Sequence, residues 1–124
     1  MAIEQLIYDI SLQAAADFYT TSKQYYVMKL DSNGRAALAG VANAASIGVL
    51  QNKPKQYEAA EVRRVGISKV VCGGTITCGA AVTGDADSKA VAAAATERYI
   101  GIALEAGIDG RVISILCETG FVPA

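Results

Sequence analysis

The chain has no histidine and no tryptophan, and its 124 residues include just two prolines, two phenylalanines and three cysteines. Each shortage excludes something. Without histidine, proton-transfer chemistry near neutral pH falls to a shifted carboxylate, lysine or cysteine. Without tryptophan, the core must be built from Val, Ile and Ala, which bury little area per residue. An odd number of cysteines argues against a secreted disulfide framework, and Cys72 and Cys78 do not stand at a CxxC zinc or redox spacing. All three are expected to be free thiols that behave as small apolar strand residues. An excess of either charge is also missing: 11 basic residues face 12 acidic ones, a net charge of −1. That balance lacks the electrostatic footprint of a nucleic-acid binder. Arg63-Arg64, preceded by Glu58 and Glu61, reads as a solvated strand face. No apolar run is long enough to span a membrane. The opening "MAIEQLIYDI" lacks the basic and apolar regions of a signal peptide, so a reducing cytosol is the expected site of synthesis.

What is present is a β-rich text. Hydrophobic residues make up 52% of the chain, which excludes disorder throughout, and the length suits one domain. Tyr8, Ile10 and Leu12 alternate with Asp9, Ser11 and Gln13 at the period of a strand with one apolar face. "AAADFYTTSKQ" then reads as a flexible connector. Strands are expected at 25–30 and 35–38 around a two-residue Asn33-Gly34 turn, and at 47–50. The run "EVRRVGISKVVC" is the longest β-like stretch. Further strands are expected at 75–78, 81–83, 90–92, 100–104 and 112–117, while 93–99 is left open between a helical turn and a loop. Short strands separated by Gly-rich turns point to an all-β fold, a small β-sandwich or partly open barrel of hairpins. It carries an extended N-terminal arm over 1–20, with a single β-rich domain over 21–124.

One sentence is written twice. "SIGVLQ…EVRRVGISKV" and "YIGIALEAGIDGRVISILC" each enter through Ile-Gly, cross a polar excursion and return through an arginine into β-branched residues. The repeat predicts one structural unit used twice. Gly48 and Gly101 are expected where a bend or a crossing strand excludes a side chain.

The candidate chemistry is thin. Asp85 and Asp87 flank a turn, and turn propensity explains them; they fall short of a calcium loop, which needs further oxygen ligands and a distal Glu. "GGTITCGA" has phosphate-loop glycines at Gly74 and Gly79, but Ala80-Ala81 stands where Lys-Ser/Thr is required. Tyr19, Tyr25, Tyr26 and Tyr57 are candidates for a sugar- or base-stacking platform, against half-buried packing. The expectation is a scaffold with no enzymatic activity, no metal and no cofactor.

The motifs "SIGVLQNKP", "EVRRVGISKVVCGGTITCGAAVTGDADSKAV" and "YIGIALEAGIDGRVISILC", in that order and spacing, resemble the capsid cement or head decoration proteins of tailed bacteriophages. The resemblance runs from about Tyr26 to Cys117. It implies a small β domain on the outer surface of the virion head. That domain binds the major capsid protein, is usually trimeric, and stabilises the shell; it is made in the bacterial host cytoplasm. The alternatives are another virion module of a tail or fibre, or a carbohydrate-binding β-sandwich. The arm lies outside the resembling region. Its apolar residues Ile3, Leu6, Ile7, Tyr8, Ile10 and Leu12 are expected to add a strand to a sheet edge on the capsid or a neighbouring subunit. Such an arm is mobile in the free protein and ordered on its partner.

Overall fold

The computed structural model describes residues 5–41 and 45–123, with side chains from Tyr8 onward. Its strands are β1 (Gln5–Gln13), β2 (Val27–Leu30), β3 (Ala36–Leu38), β4 (Ser46–Leu50), β5 (Ala59–Val71), β6 (Ala81–Gly84), β7 (Ala90–Ala92), β8 (Arg98–Ala103) and β9 (Val112–Phe121). They form one antiparallel sheet in the order β3-β2-β4-β5-β9-β8-β6-β7, with β1 added on β5. The sheet curls into a half-barrel, the all-β class expected. Segment 93–97 is loop and turn.

The strand order is a palindrome of the repeat. β2 to β5 on one side and β6 to β9 on the other have the same connectivity, and the two halves meet along β5 and β9. The local chemistry repeats as well. Asp31 accepts the N–H groups of Asn33 and Arg35, and Asp85 accepts those of Asp87 and Lys89. Gly34 and Ser88 both take positive φ, at 73° and 63°. Tyr25 N–H donates to Leu50 C=O as Gly79 N–H donates to Ala103 C=O. The expected two-residue Asn33-Gly34 turn is therefore a wider one: pairing stops at Leu30 with Ala36. The Asp31 carboxylate captures backbone donors that a tight hairpin would leave elsewhere.

Gly48 and Gly101 stand at corresponding places, each against the longer strand that follows. A methyl at Gly48 would overlap the Arg63 carbonyl oxygen; one at Gly101 would lie 2.8 Å from the Leu116 carbonyl oxygen and 3.0 Å from Ile115 Cδ1. The close backbone approach expected from the sequence is present in both copies. The expected strand at 75–78 is reduced to one bridge, in which Ile76 exchanges both hydrogen bonds with Gly107. Gly73-Gly74 and Gly79 bracket it too closely for a ladder, and Ile76 serves as a buried plug instead.

Two clusters form the interior. The first joins Val27 and Val49 to Val82, Ala103, Ile113 and Ile115 across the curl of the sheet. The second lies on the other side of β2 and β4, where Met28, Leu50, Ala60 and Val62 pack under Ala14 and Phe18. Neighbours Val27 and Met28, or Val49 and Leu50, thus serve opposite cores, so this wing of the sheet is buried on both faces. Segment 14–26 is an ordered cover. Phe18 is buried, its N–H bonds Pro54 C=O, and Asp17 accepts from the N–H groups of Tyr19 and Thr20. The Thr20 hydroxyl, which donates to Asp17 Oδ2 at 2.7 Å, and then the Thr20 N–H hold the Asp17 carboxyl below its ordinary range.

Candidate functional site

The sequence points to the N-terminal strand. β1 runs antiparallel to β5, from Gln5 opposite Ile67 to Gln13 opposite Ala59. The sheet edge that receives it here is the chain's own. Ile3 lies outside the described residues. Leu6 pairs with Gly66, and Ile7 falls in a register shift between Leu6 and Tyr8. The side chains of Ile10 and Leu12 are half-buried against the second cluster, over Val62 and Ala60. Tyr8, 53% exposed, stands opposite Val65, itself 41% exposed. The six residues therefore divide. Ile10 and Leu12 are turned to the molecule's own core, and Tyr8 is the exposed aromatic on the outer flank of the strand.

Asp9, between them, does what the sequence did not foretell. Its Oδ1 accepts from Arg63 Nε at 2.9 Å and its Oδ2 from Arg63 Nη2 at 3.3 Å, while Arg63 Nη1 donates to Ile67 C=O at 3.0 Å. This forked pairing is the strong geometry for a guanidinium and a carboxylate. Arg63 is buried and Arg64 is exposed, so the expected solvated face is corrected for one of the two arginines. Asp9 lies far from Arg63 in the chain, and only the β1–β5 register brings them together. Behind the pair, burial pushes the Cys117 thiol up to about 11, with Arg63 opposing the rise and Asp9 adding to it. Farther along β5, the Ser68 hydroxyl oxygen accepts from Gln51 Nε2 at 2.7 Å.

The remaining chemistry-bearing groups are dispersed. Cys72 and Cys117 are buried free thiols and Cys78 is an exposed one; burial raises the Cys72 thiol too. Among the described residues no three His, Cys, Asp or Glu side chains come together to hold a metal ion. Asp85 and Asp87 do turn work, as expected. An open groove of about 510 Å³ between the β2–β3 and β6–β7 hairpins is lined by Lys23, Tyr26, Ser88 and Lys89, where the Ser88 hydroxyl oxygen accepts from the Gly40 N–H. The four candidate tyrosines share one kind of contact. Each has a cation over one ring face: Lys55 over Tyr19, Lys69 over Tyr25, Lys23 over Tyr26 and Arg35 over Tyr57.

Fold and site together define a class: a small, curled, twice-repeated β-domain whose distinctive surface is a strand docked on a sheet edge. Neither protein-family models nor curated protein sequences match the chain. Among solved structures it is similar to the N base of the head fibre gp8.5 of bacteriophage phi29. The TM-score is 0.60 and the identity 15%, over 90% of this chain and 93% of that one. At that identity the likeness establishes a common fold.

Proposed function

We propose that this chain is a structural component of a tailed-phage virion, attached to the outer surface of the head, where it binds the major capsid protein and stabilises the shell without catalysing a reaction. The observation that carries the reading is the fold, shared over nearly the whole chain with a domain described as the base of a phage head fibre. The resemblance of its motifs to head decoration proteins points to the same place on the virion. A near-neutral surface with dispersed titratable groups suits recognition by shape, and many copies on one shell supply avidity so that each contact can be weak. The exposed flank of β1, with Tyr8 at its centre, is the contact with the head or a neighbouring subunit. Purified heads mixed with the protein should carry it into the pellet on sedimentation. Tyr8→Ala should lose occupancy while keeping the parent melting temperature. Heads that pellet without the protein would refute the assignment.

The same neighbour favours a second reading, the base of a projecting fibre. Difference density of particles with and without the protein separates the two. Low knobs repeated over the shell mark a decoration protein, and a projection extending from each site marks a fibre base. The carbohydrate-binding alternative has less to support it, because one face of each candidate tyrosine already holds a cation.

A further inference from the structure

Each repeat turns its hairpin on an aspartate, and the two tips differ where chemistry can act. Asp31 Oδ1 accepts the N–H groups of Asn33 and Arg35 at 2.9 and 2.8 Å, and Asp85 Oδ1 accepts those of Asp87 and Lys89, both at 2.9 Å. Gly34 N–H donates to Asp31 C=O at 3.1 Å, as Ser88 N–H donates to Asp85 C=O at 3.0 Å. Asn33 therefore stands where the second copy has Asp87, and Gly34 where it has Ser88. The second tip is pinned. Ser88 is buried, its C=O accepts from Val27 N–H, and its hydroxyl oxygen accepts from Gly40 N–H. The first tip stands in water. Ser32, Asn33 and Gly34 are exposed, no atom lies within 4 Å of where a Gly34 Cβ would stand, and Asn33 is tied down through its backbone N–H. Asn52 is held by its side chain at both ends: Nδ2 donates to Ala59 C=O and Oδ1 accepts from Glu61 N–H.

The first tip thus offers an asparagine amide beside an unhindered peptide nitrogen. Glycine puts no side chain in the way of the Gly34 nitrogen as it approaches Asn33 Cγ, and asparagine is among the thermolabile residues. We propose that Asn33 is a site of spontaneous deamidation in the folded protein. The Gly34 nitrogen gives up its proton and bonds to Asn33 Cγ. The Cγ–Nδ2 bond breaks, and the side-chain nitrogen leaves as ammonia. The cyclic imide so formed takes up water. Opening at Cγ gives aspartate; opening at the main-chain carbonyl gives isoaspartate, with the chain rerouted through the side chain. Nothing is oxidised or reduced, and water is the co-reactant. The bond that must yield is Gly34 N–H to Asp31 C=O, one surface hydrogen bond whose release slows the step by about tenfold at most. The second copy shows that the fold accepts the aspartate product, because Asp87 makes in its turn the backbone bond that Asn33 makes in its own. Each conversion adds one negative charge to the β2–β3 tip. The proposal stands or falls apart from attachment to heads.

The full chain is incubated in warm, mildly alkaline buffer for the time in which a synthetic peptide of residues 30–35 largely converts. Trypsin, cutting after Lys29 and Arg35, then releases the same segment from the protein. Mass spectrometry reads the exchange of an amide for a carboxyl, and enzymatic methyl transfer reads isoaspartate. The folded chain should convert at no less than about a tenth of the peptide's rate. Asn33→Gln, whose ring closure needs a further member, should keep its amide, and so should Asn52 in the parent. A segment 30–35 that ends the incubation with its amide intact would overturn the proposal, as would conversion that needs the chain unfolded in urea. Equal conversion at Asn52 would overturn it too, since the exposed tip would then not direct the reaction.

Discussion

Single residues carry the most legible features of this chain and also the least legible one. Gly48 and Gly101 announce themselves in the sequence by recurring inside the same Ile-Gly phrase, and both prove to lie against a backbone carbonyl. Gly48 also has a φ of +155°, a conformation L side chains rarely adopt. Gly101→Ala should therefore cost about 1–3 kcal/mol through overpacking, and Gly48→Ala more, since strain adds to the overlap; urea denaturation of both variants checks the order. The cysteines were equally readable as free thiols. In the native protein Cys78 should react with a thiol reagent at once, and Cys72 and Cys117 only on unfolding. Cys117 also gives a pH dependence. Its folded value, about 11, lies above the ordinary thiol value near 9, so between those values the folded state keeps a proton that the unfolded state loses. Its contribution is complete below pH 9 and is lost as pH rises towards 11, with a slope of about 1.4 kcal/mol per unit. Cys117→Ala should show a flatter decline over that window. The Asp9–Arg63 pair, by contrast, was hidden. A carboxylate and a guanidinium that far apart in the chain carry no local signature, and "EVRR" reads as surface until a partner strand covers it.

At the scale of elements, β1 is where sequence and structure inform each other. The alternation of Tyr8, Ile10 and Leu12 identifies a strand, and its isolation from the resembling motifs suggests a free arm. What the sequence could not show is the edge it meets: β5 is long enough to hold β9 along its second half and β1 along its first. The register shift near Tyr8 falls between those halves, so residues such as Val62 before it face the second cluster and Val70 beyond it faces the first. A strand docked this way is part of the fold. Asp9→Asn removes the carboxylate that pairs with the buried Arg63 guanidinium and should destabilise by about 3–5 kcal/mol, whereas replacing both residues with apolar ones of similar volume should cost little. Deleting residues 2–13 removes the ion pair together with the cover over Ala60 and Val62, so it should lower the melting temperature further than Asp9→Asn alone. A truncated domain that melts with the parent would show that β1 is held loosely enough to serve as the mobile arm expected from the sequence.

For the whole molecule, the class of fold was legible because short β-branched runs and Gly-rich turns recur, and the duplication because the Ile-Gly phrase recurs, while the matching hairpins on Asp31 and Asp85 show only in the structure. The double burial of β2 and β4 was not. "VMKL" and "SIGVL" each set apolar residues side by side, Val27 with Met28 and Val49 with Leu50, and nothing in such a pair says whether its second face meets a core or water. The cover that decides it, segment 14–26, looks like a polar connector and hides its largest buried anchor, Phe18. Its consequence is thermodynamic coupling. Val49 belongs to the first cluster and its neighbour Leu50 to the second, on one strand, and β5 likewise supplies Val70 to one and Val62 to the other. Neither core can come apart while the other keeps β4 and β5 in register. Phe18→Ala in the cover and Ile115→Ala in the opposite wing should therefore each cost about 2–5 kcal/mol and each shift one common unfolding transition. The denaturant slope should stay that of the parent, because the same surface is exposed in one step. Tyrosine fluorescence and far-ultraviolet circular dichroism should trace coincident curves for all three proteins. If Phe18→Ala instead gives an early transition seen by fluorescence alone, the second cluster opens by itself, and segment 14–26 is a detachable lid on a domain held by the first cluster.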